Sequence, residues 1–418
     1  MQITAGRYYR PFQFLTQTVC TTQPMIIQYL LALTVINGVV IRGGRVLLAL
    51  YALNMGADPF TVGLIAATFS AFPTLLSWPA GKLADRFGTR WLLLVGALGA
   101  FLGMLIPWWT PGITTLFIAA GLNGLSFSIF NVSIQNLVGL LSNKQNRTNN
   151  FSNYSLMMAV SNLLGPLIAG FSIDHAGYGA TCLYLGLMAL APSVMLAVWG
   201  GVLPGGSKQE GKGGGGLREL LANPGVRRTL ATSSLLQSGQ DLFQFYMPVY
   251  CHMIELSASV IGIVLAANAA AAFVVRLLLT RMIAWFNEEK VLIYAFTLSA
   301  VAFGFVPFFS NGVTLSLIAF IFGLGMGCGQ PIITMLMFSH SAEGRSGEAL
   351  GLRMTANYLT RVVGPIMFGS IGSAFGLAAV FWVNGLMLGT GGMLTYMGAG
   401  ENDANQPAGS SNEKNVKQ

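Results

Sequence analysis

Gly81-Lys82-Leu83-Ala84-Asp85-Arg86-Phe87-Gly88-Thr89-Arg90 sets three basic side chains and one acid between two long apolar runs. Its two glycines permit a tight reversal, and Asp85 falls where the positive end of a following helix favours an anion. The flanking runs, 59–80 and 91–109, are each about the 20 residues needed to cross a hydrocarbon core. The stretch therefore reads as a charged hairpin loop between two membrane spans, and the chain on either side repeats that plan.

Hydrophobic residues make up 54% of the 418 residues and charged ones 9%, with a mean hydropathy of +0.64. Soluble domains carry about 25% charged residues, so a soluble globular domain is excluded. The apolar runs predict helices at 26–53, 59–80, 91–109, 113–141, 150–173 and 180–203, then 226–252, 258–285, 290–310, 312–338, 347–373 and 376–399. This is an all-α membrane protein of twelve transmembrane helices. Lys82, Arg86, Arg90, Lys144, Arg147, Lys208, Lys212, Arg218, Arg227, Arg228, Arg281, Lys290 and Arg345 fall in or beside alternate loops, and the opposite loops hold none. The positive-inside rule then places both termini in the cytoplasm of a multi-pass inner-membrane protein. Residues 1–25 lack the apolar core of a secretory signal and are read as a cytoplasmic segment. Residues 401–418 are polar enough to be disordered. The net charge of +8 is spread over loops with no single patch, so no nucleic-acid role is read.

The GGSKQEGKGGGG run lies in a flexible linker, 204–225, between an amino-terminal bundle (26–203) and a carboxy-terminal bundle (226–400). Tyr51 and Gly63 recur as Tyr250 and Gly262, each 199 residues later, and Gly165-Pro166 recurs as Gly364-Pro365. Two halves thus share one plan, as in transporter folds built from parallel repeats about an axis along the membrane normal.

With these features in place, the Gly81–Arg90 stretch resembles the signature loop between the second and third helices of the major facilitator superfamily (MFS). The resemblance implies two pseudo-symmetric six-helix bundles and alternating access. It makes Gly81, Asp85, Arg86, Gly88 and Arg90 an inner-gate latch with no contact to cargo. The corresponding second-half loop, Thr280 to Lys290, keeps only Arg281, Phe286 and Lys290 of the pattern. The fifth helix partly resembles the family's antiporter pattern, with Ser152, Ser161, Gly165-Pro166 and Ala169-Gly170, which leans toward export. Ala120 stands four residues before Gly124, where drug exporters of the family often carry Arg. The usual drug-proton coupling site is thereby absent.

An ionisable side chain at bilayer depth costs at least about 2.5–3.5 kcal/mol, so each marks a site by default. Arg42-Gly43-Gly44-Arg45 puts two guanidinium groups on one face of a glycine-softened helix, which suits bidentate capture of a carboxylate or phosphate. The bland alternative is an arginine that snorkels or pairs with Asp241. Asp241 lies 199 residues after Arg42 and sits on a polar face with Gln237, Gln240 and Gln244; it is either a proton carrier or a counter-ion. Asn357 and Arg361 occupy the eleventh helix, Arg361 nearer mid-membrane and Arg353 nearer the cytoplasm. Arg276 is read as a structural residue near the cytoplasmic side. Asn131, Gln135 and Gln330 bring amides toward the same space, or serve as interhelical hydrogen bonds.

Cys20, Cys182, Cys251 and Cys328 are scattered, and His175, His252 and His340 lie near predicted helix ends, so no metal site, disulfide framework or catalytic triad is expected. No nucleotide-binding loop is present; no cofactor and no enzymatic activity are expected. The expectation is a monomeric secondary transporter that exports a small organic anion across the inner membrane with proton coupling through Asp241. The alternatives are an efflux carrier for uncharged or amphiphilic compounds and, remotely, a non-transporting sensor on the same fold.

Overall fold

In a bilayer every backbone N–H and C=O must be satisfied within the segment, and the helix achieves this. The computed structural model describes residues 12–71, 74, 89–141, 147–200, 221–340 and 346–404. Its helices are α1 Phe12–Asn54, α2 Pro59–Ala71, α3 Thr89–Trp109 and α4 Ile113–Leu140. Arg147–Trp199 is broken at Gly177 (φ 80°, ψ 172°) into α5 (147–176) and α6 (178–199). The second half holds α7 Pro224–Met253, α8 Ala258–Phe286, α9 Glu288–Phe305, α10 Gly312–His340, α11 Ser346–Phe375 and α12 Leu377–Ala404. Among the described residues eight helical stretches are long and apolar enough to cross a membrane, and one of them, Asn153–Trp199, holds both α5 and α6. The polar α7 and α11 are not among the eight, and α2 is described over a shorter stretch.

Three expectations shift. Helix α1 starts at Phe12 where the sequence predicted 26, and α12 continues to Ala404, beyond the expected end at 399. Each added residue of a formed helix gains one backbone hydrogen bond, so a helix outruns the apolar run that anchors it. The six-residue connection expected after the fifth helix shrinks to Gly177, whose left-handed φ carries no Cβ penalty. Residues 1–11, 201–220 and 405–418 lie outside the described residues, and with them most of the linker and tail.

The repeat seen in the sequence is a repeat of conformation. Gly56 (φ 84°) and Glu255 (φ 62°) are both left-handed and 199 residues apart, as are Gly177 (φ 80°) and Gly376 (φ 82°). Glu255 accepts a conformation that costs a side-chain-bearing residue about 1–2 kcal/mol, so the turn geometry of the repeat overrides local preference there. Helices α1–α6 pack as one bundle through α1–α5, α3–α4 and α3–α6 contacts, and α7–α12 as another through α8–α10, α9–α12 and α7–α11. In the second bundle Phe322 lies 4.3 Å from Phe303 and 5.0 Å from Phe243, tying α7, α9 and α10 together.

The bundles meet along α1–α7, α5–α8 and α2–α11. The last two seams are copies of each other. A Cβ on Gly63 of α2 would lie 2.6 Å from the Pro365 carbonyl of α11, and one on Gly262 of α8 would lie 2.7 Å from the Pro166 carbonyl of α5. Gly369 approaches Pro59 and Phe60 as its counterpart Gly170 approaches Ala258. The Tyr246 hydroxyl donates to the Pro365 carbonyl at 2.6 Å. These contacts crowd toward the 55–58 and 254–257 turns, so the bundles are shut on that turn side. The opposite side carries the linker.

Candidate functional site

Asp241 is the focus of a polar cluster buried between the bundles. Helical spacing puts Gln237, Asp241 and Gln244 on one face of α7. Gln237 Nε2 donates to Asp241 Oδ2 at 2.9 Å, and Arg361 Nε of α11 lies 3.6 Å from the same oxygen. From α1, Arg45 Nη1 donates to Gln244 Oε1 at 3.2 Å, a bond between residues 199 apart that joins the two halves. The Arg45 guanidinium is held over Phe69 at 4.5 Å and Phe245 at 5.1 Å, and that of Arg42 over Phe127 at 5.8 Å. Such cation–π contacts offset part of the cost of removing the charge from water.

These groups face a cavity of about 180 Å³ whose charged lining is Arg42, Arg45, Arg276, Arg361 and Asp241. Four guanidinium groups against one carboxylate leave it strongly positive. The Nε atoms of Arg42 and Arg45 are buried without a hydrogen-bond partner, the condition in which an anionic guest stabilises most. A second cavity of about 230 Å³ lies on the linker side, lined by Gln237, Gln240, Gln330, Arg353, Asn357 and Arg361 among others. The two share Gln237, Gln240 and Arg361. A chain of polar contacts runs between them: Arg353 Nη1 donates to Gln330 Oε1 at 2.9 Å, and Gln330 Nε2 to Gln237 Oε1 at 3.3 Å, which leads to Asp241. Gln240 donates to the Met326 carbonyl at 3.3 Å, and Asn357 accepts from Ser233 at 2.9 Å.

Of the residues singled out in the sequence, Arg42, Arg45, Gln237, Gln240, Asp241, Gln244, Gln330, Asn357 and Arg361 all line one or both cavities. Asn131 and Gln135 line neither. Asn131 accepts from the Tyr154 hydroxyl at 2.6 Å and from Gln135 at 2.5 Å, so the Asn131 carbonyl is engaged between α4 and α5. Tyr154 and Asn131 are the repeat counterparts of Arg353 and Gln330, and the contact recurs with changed chemistry. Gly81, Asp85, Arg86 and Gly88 lie outside the described residues. Arg90 Nη2 donates to the Ala197 carbonyl at 3.0 Å, which braces α3 against α6 inside one bundle. Asn162, Asn268, Arg276 and Arg353 were not selected from sequence. The register carries a signal for Asn162, which lies 199 residues before Arg361.

The turn side is closed by hydrogen bonds as well as by packing. Asp174 at the end of α5 accepts from the Ala258 and Ser259 N–H groups at 2.9 and 2.7 Å, capping α8 across the seam. In the other seam Asp58 caps its own helix, accepting from the Thr61 N–H at 3.1 Å, and receives the Ser373 hydroxyl of α11 at 3.4 Å. The Thr61 hydroxyl, foremost, holds Asp58 below the usual carboxylate range. Ser373 is the repeat counterpart of Asp174, and Ser257, the cap of α8, is that of Asp58: each seam has one carboxylate and one serine, with the places exchanged. Among the described residues no group of three or more His, Cys, Asp or Glu is placed to hold a metal.

Relatives carry the same architecture. The chain is 21% identical over 352 residues to the quinolone resistance protein NorA of Staphylococcus aureus (strain COL), covering 82% of this chain and 88% of that one. It is 24% identical over 343 residues to the multidrug resistance protein MdtG of Klebsiella pneumoniae (strain 342), covering 79% and 81%. The fold superposes on the crystal structure of the nucleoside transporter NupG with a TM-score of 0.73 at 13% identity, covering 88% and 98%. The Major Facilitator Superfamily model matches residues 30–365 and 254–417. Two helical bundles repeated at a fixed offset, a polar cavity between them and a family match over nearly the whole length lead to one assignment: this multi-pass membrane protein belongs to the Major Facilitator Superfamily of transporters and is not an enzyme.

Proposed function

We propose that the chain is an alternating-access carrier for a small organic anion in the bacterial plasma membrane, with Arg42, Arg45 and Arg361 as the anion site and Asp241 as the proton-coupling group. The observation that carries this reading is the charge of the central cavity, four arginines against one aspartate. The positive-inside pattern of Lys and Arg makes the linker side cytoplasmic. The closed turn side is then the exterior, and the conformation is inward-facing. Asp241 is placed to couple because its Oδ2 is shared by Arg361 and Gln237, so an anion that draws Arg361 away changes the partners of this carboxylate. Export is the direction favoured by the partial fifth-helix pattern and by the resistance roles named for NorA and MdtG.

The test is uptake of organic anions into liposomes holding the native chain, Arg42→Gln, Arg361→Gln or Asp241→Asn. Each arginine substitution is expected to lower flux about tenfold or more, the scale of one lost charge-assisted hydrogen bond. Asp241→Asn is expected to leave exchange but abolish its dependence on a proton gradient. Unchanged flux in all three variants refutes the anion site. The second reading, efflux of amphiphilic compounds, draws on the same resistance proteins and on Phe243, Phe322 and Met326 in the cavity wall. It requires neutral and cationic compounds to move as fast as anions in the same assay.

A further inference from the structure

We propose that Arg276 is a second anion-holding pole of the central cavity, so that the cargo is a molecule with two separated acid groups. This rests on the anion reading above and narrows it. On α8, Leu265, Asn268, Ala269, Ala272 and Arg276 recur at steps of three, one, three and four and line the cavity. Phe273, Val274, Leu277 and Leu278 occupy the opposite face and are exposed as lipid-facing residues should be. Arg276 therefore points inward with its stripe. Its Nε donates to the Gly327 carbonyl of α10 at 3.1 Å, which fixes the guanidinium plane while the two terminal nitrogens stay available. Among the described residues no carboxylate forms an ion pair with it.

The other cationic groups stand apart from it. Arg42 and Arg361 interact electrostatically with each other, and Arg45 with both and with Asp241. They form one pole, with Asp241 inside it. Arg276 lies about 18 residues, or about 27 Å, from the turn-side end of α8. Arg42 lies about 18 Å from the matching end of α1, and Arg361 about 21 Å from that of α11. The second pole is thus about 6–9 Å nearer the linker side than Arg42 and Arg361, and about 14 Å nearer than Arg45. Asn162 and Asn268 also line the cavity, and the buried Asn162 Oδ1 has no hydrogen-bond partner, which leaves it an acceptor for a hydroxyl or amide on the cargo. A single acid group satisfies one pole; two acid groups at this separation satisfy both.

The experiment measures binding to the full chain in lipid nanodiscs, by calorimetry, of a length series of linear α,ω-dicarboxylates and of the mono-amide of each. The native chain is expected to bind the dicarboxylate of matching length about tenfold more tightly than its mono-amide. Arg276→Gln is expected to bring that ratio to about one while leaving mono-amide affinity within about twofold. Arg276→Lys, which keeps the charge but not the fork, is expected to retain part of the preference. A merely structural Arg276 would lower both affinities together and leave the ratio intact, which overturns the proposal. A native chain that binds both ligand types equally also overturns it and spares the anion reading. A native chain that binds neither at any length removes both.

Discussion

Gln330 is the residue on which the buried polar chain depends, because its amide serves Arg353 with its oxygen and Gln237 with its nitrogen. Gln330→Leu orphans both, at about 1–3 kcal/mol per buried group. The expected outcome is a thermal unfolding midpoint several degrees lower in detergent, whereas Gln330→Glu, which keeps the acceptor for Arg353, is expected to lose less. A midpoint for the leucine variant equal to the native one refutes the chain. At this scale the sequence was readable wherever a polar side chain interrupts an apolar run, since the cost of such an interruption does not depend on knowing the fold. Arg42, Asp241, Gln244 and Arg361 stand out that way, and all four line the central cavity. Asn131 and Gln135 read either as cavity amides or as interhelical hydrogen bonds, and the partner that engages Asn131, Tyr154, is a tertiary neighbour that no local pattern announces. Arg276 was set aside for its nearness to a helix end; only the packing of α8 on α10 shows that its depth opens onto a cavity.

The seams belong to the scale of helices, and there the decisive quantity is how closely two backbones approach. Gly262→Leu drives a side chain into the Pro166 carbonyl, and Gly63→Leu into that of Pro365. Backbone cannot yield as a side-chain tip can, so either variant is expected to hold the turn side open. Spin labels on the Gly177 and Glu255 turns should show the short inter-bundle distance lost in each variant and kept in Gly304→Leu, where the added side chain meets open space. Retention of the short distance in Gly262→Leu would mean that the seam is looser than it looks. The same labels read the pH dependence. Asp58 is held below its ordinary value, so its contribution is complete above the unfolded carboxylate value of about 4 and fades as pH falls through the lower folded one. The α2–α11 seam is therefore expected to stay shut from neutral pH down to about 4 and to loosen only below that, and Asp58→Asn to leave only the part of the acid step that Asp174, also held low, contributes in the other seam. The glycines of the seams were visible in the sequence as a repeat, but their purpose was not, because a small residue is equally a turn, a kink or a contact until its neighbour is known.

For the whole molecule the governing fact is that two halves of one plan were joined at an offset of 199 residues, and that the offset was legible from Tyr51, Gly63 and their counterparts alone. What the offset did not reveal was which unlike residues at equivalent places make the contacts: Tyr154 for Arg353, Asn162 for Arg361, and at the seams Asp174 and Ser257 for Ser373 and Asp58. That trade makes a strong prediction. In the α5–α8 seam Asp174 supplies the cap from across the interface while Ser257 Oγ accepts from the Val260 N–H at 3.4 Å. In the α2–α11 seam the acid sits on the capped helix and the serine reaches across. Asp174→Ser alone removes a carboxylate from a helix N-terminus, worth about 1 kcal/mol, and should lower the closed fraction about fivefold. Ser257→Asp alone sets two carboxylates at the start of α8, and their repulsion should loosen the seam as well. The double exchange rebuilds in one seam the arrangement that already closes the other, so the closed fraction should return to within about twofold of native. If the two effects instead add, the seams are alike in backbone but not in chemistry, and the equivalence drawn from the repeat fails at the level of side chains.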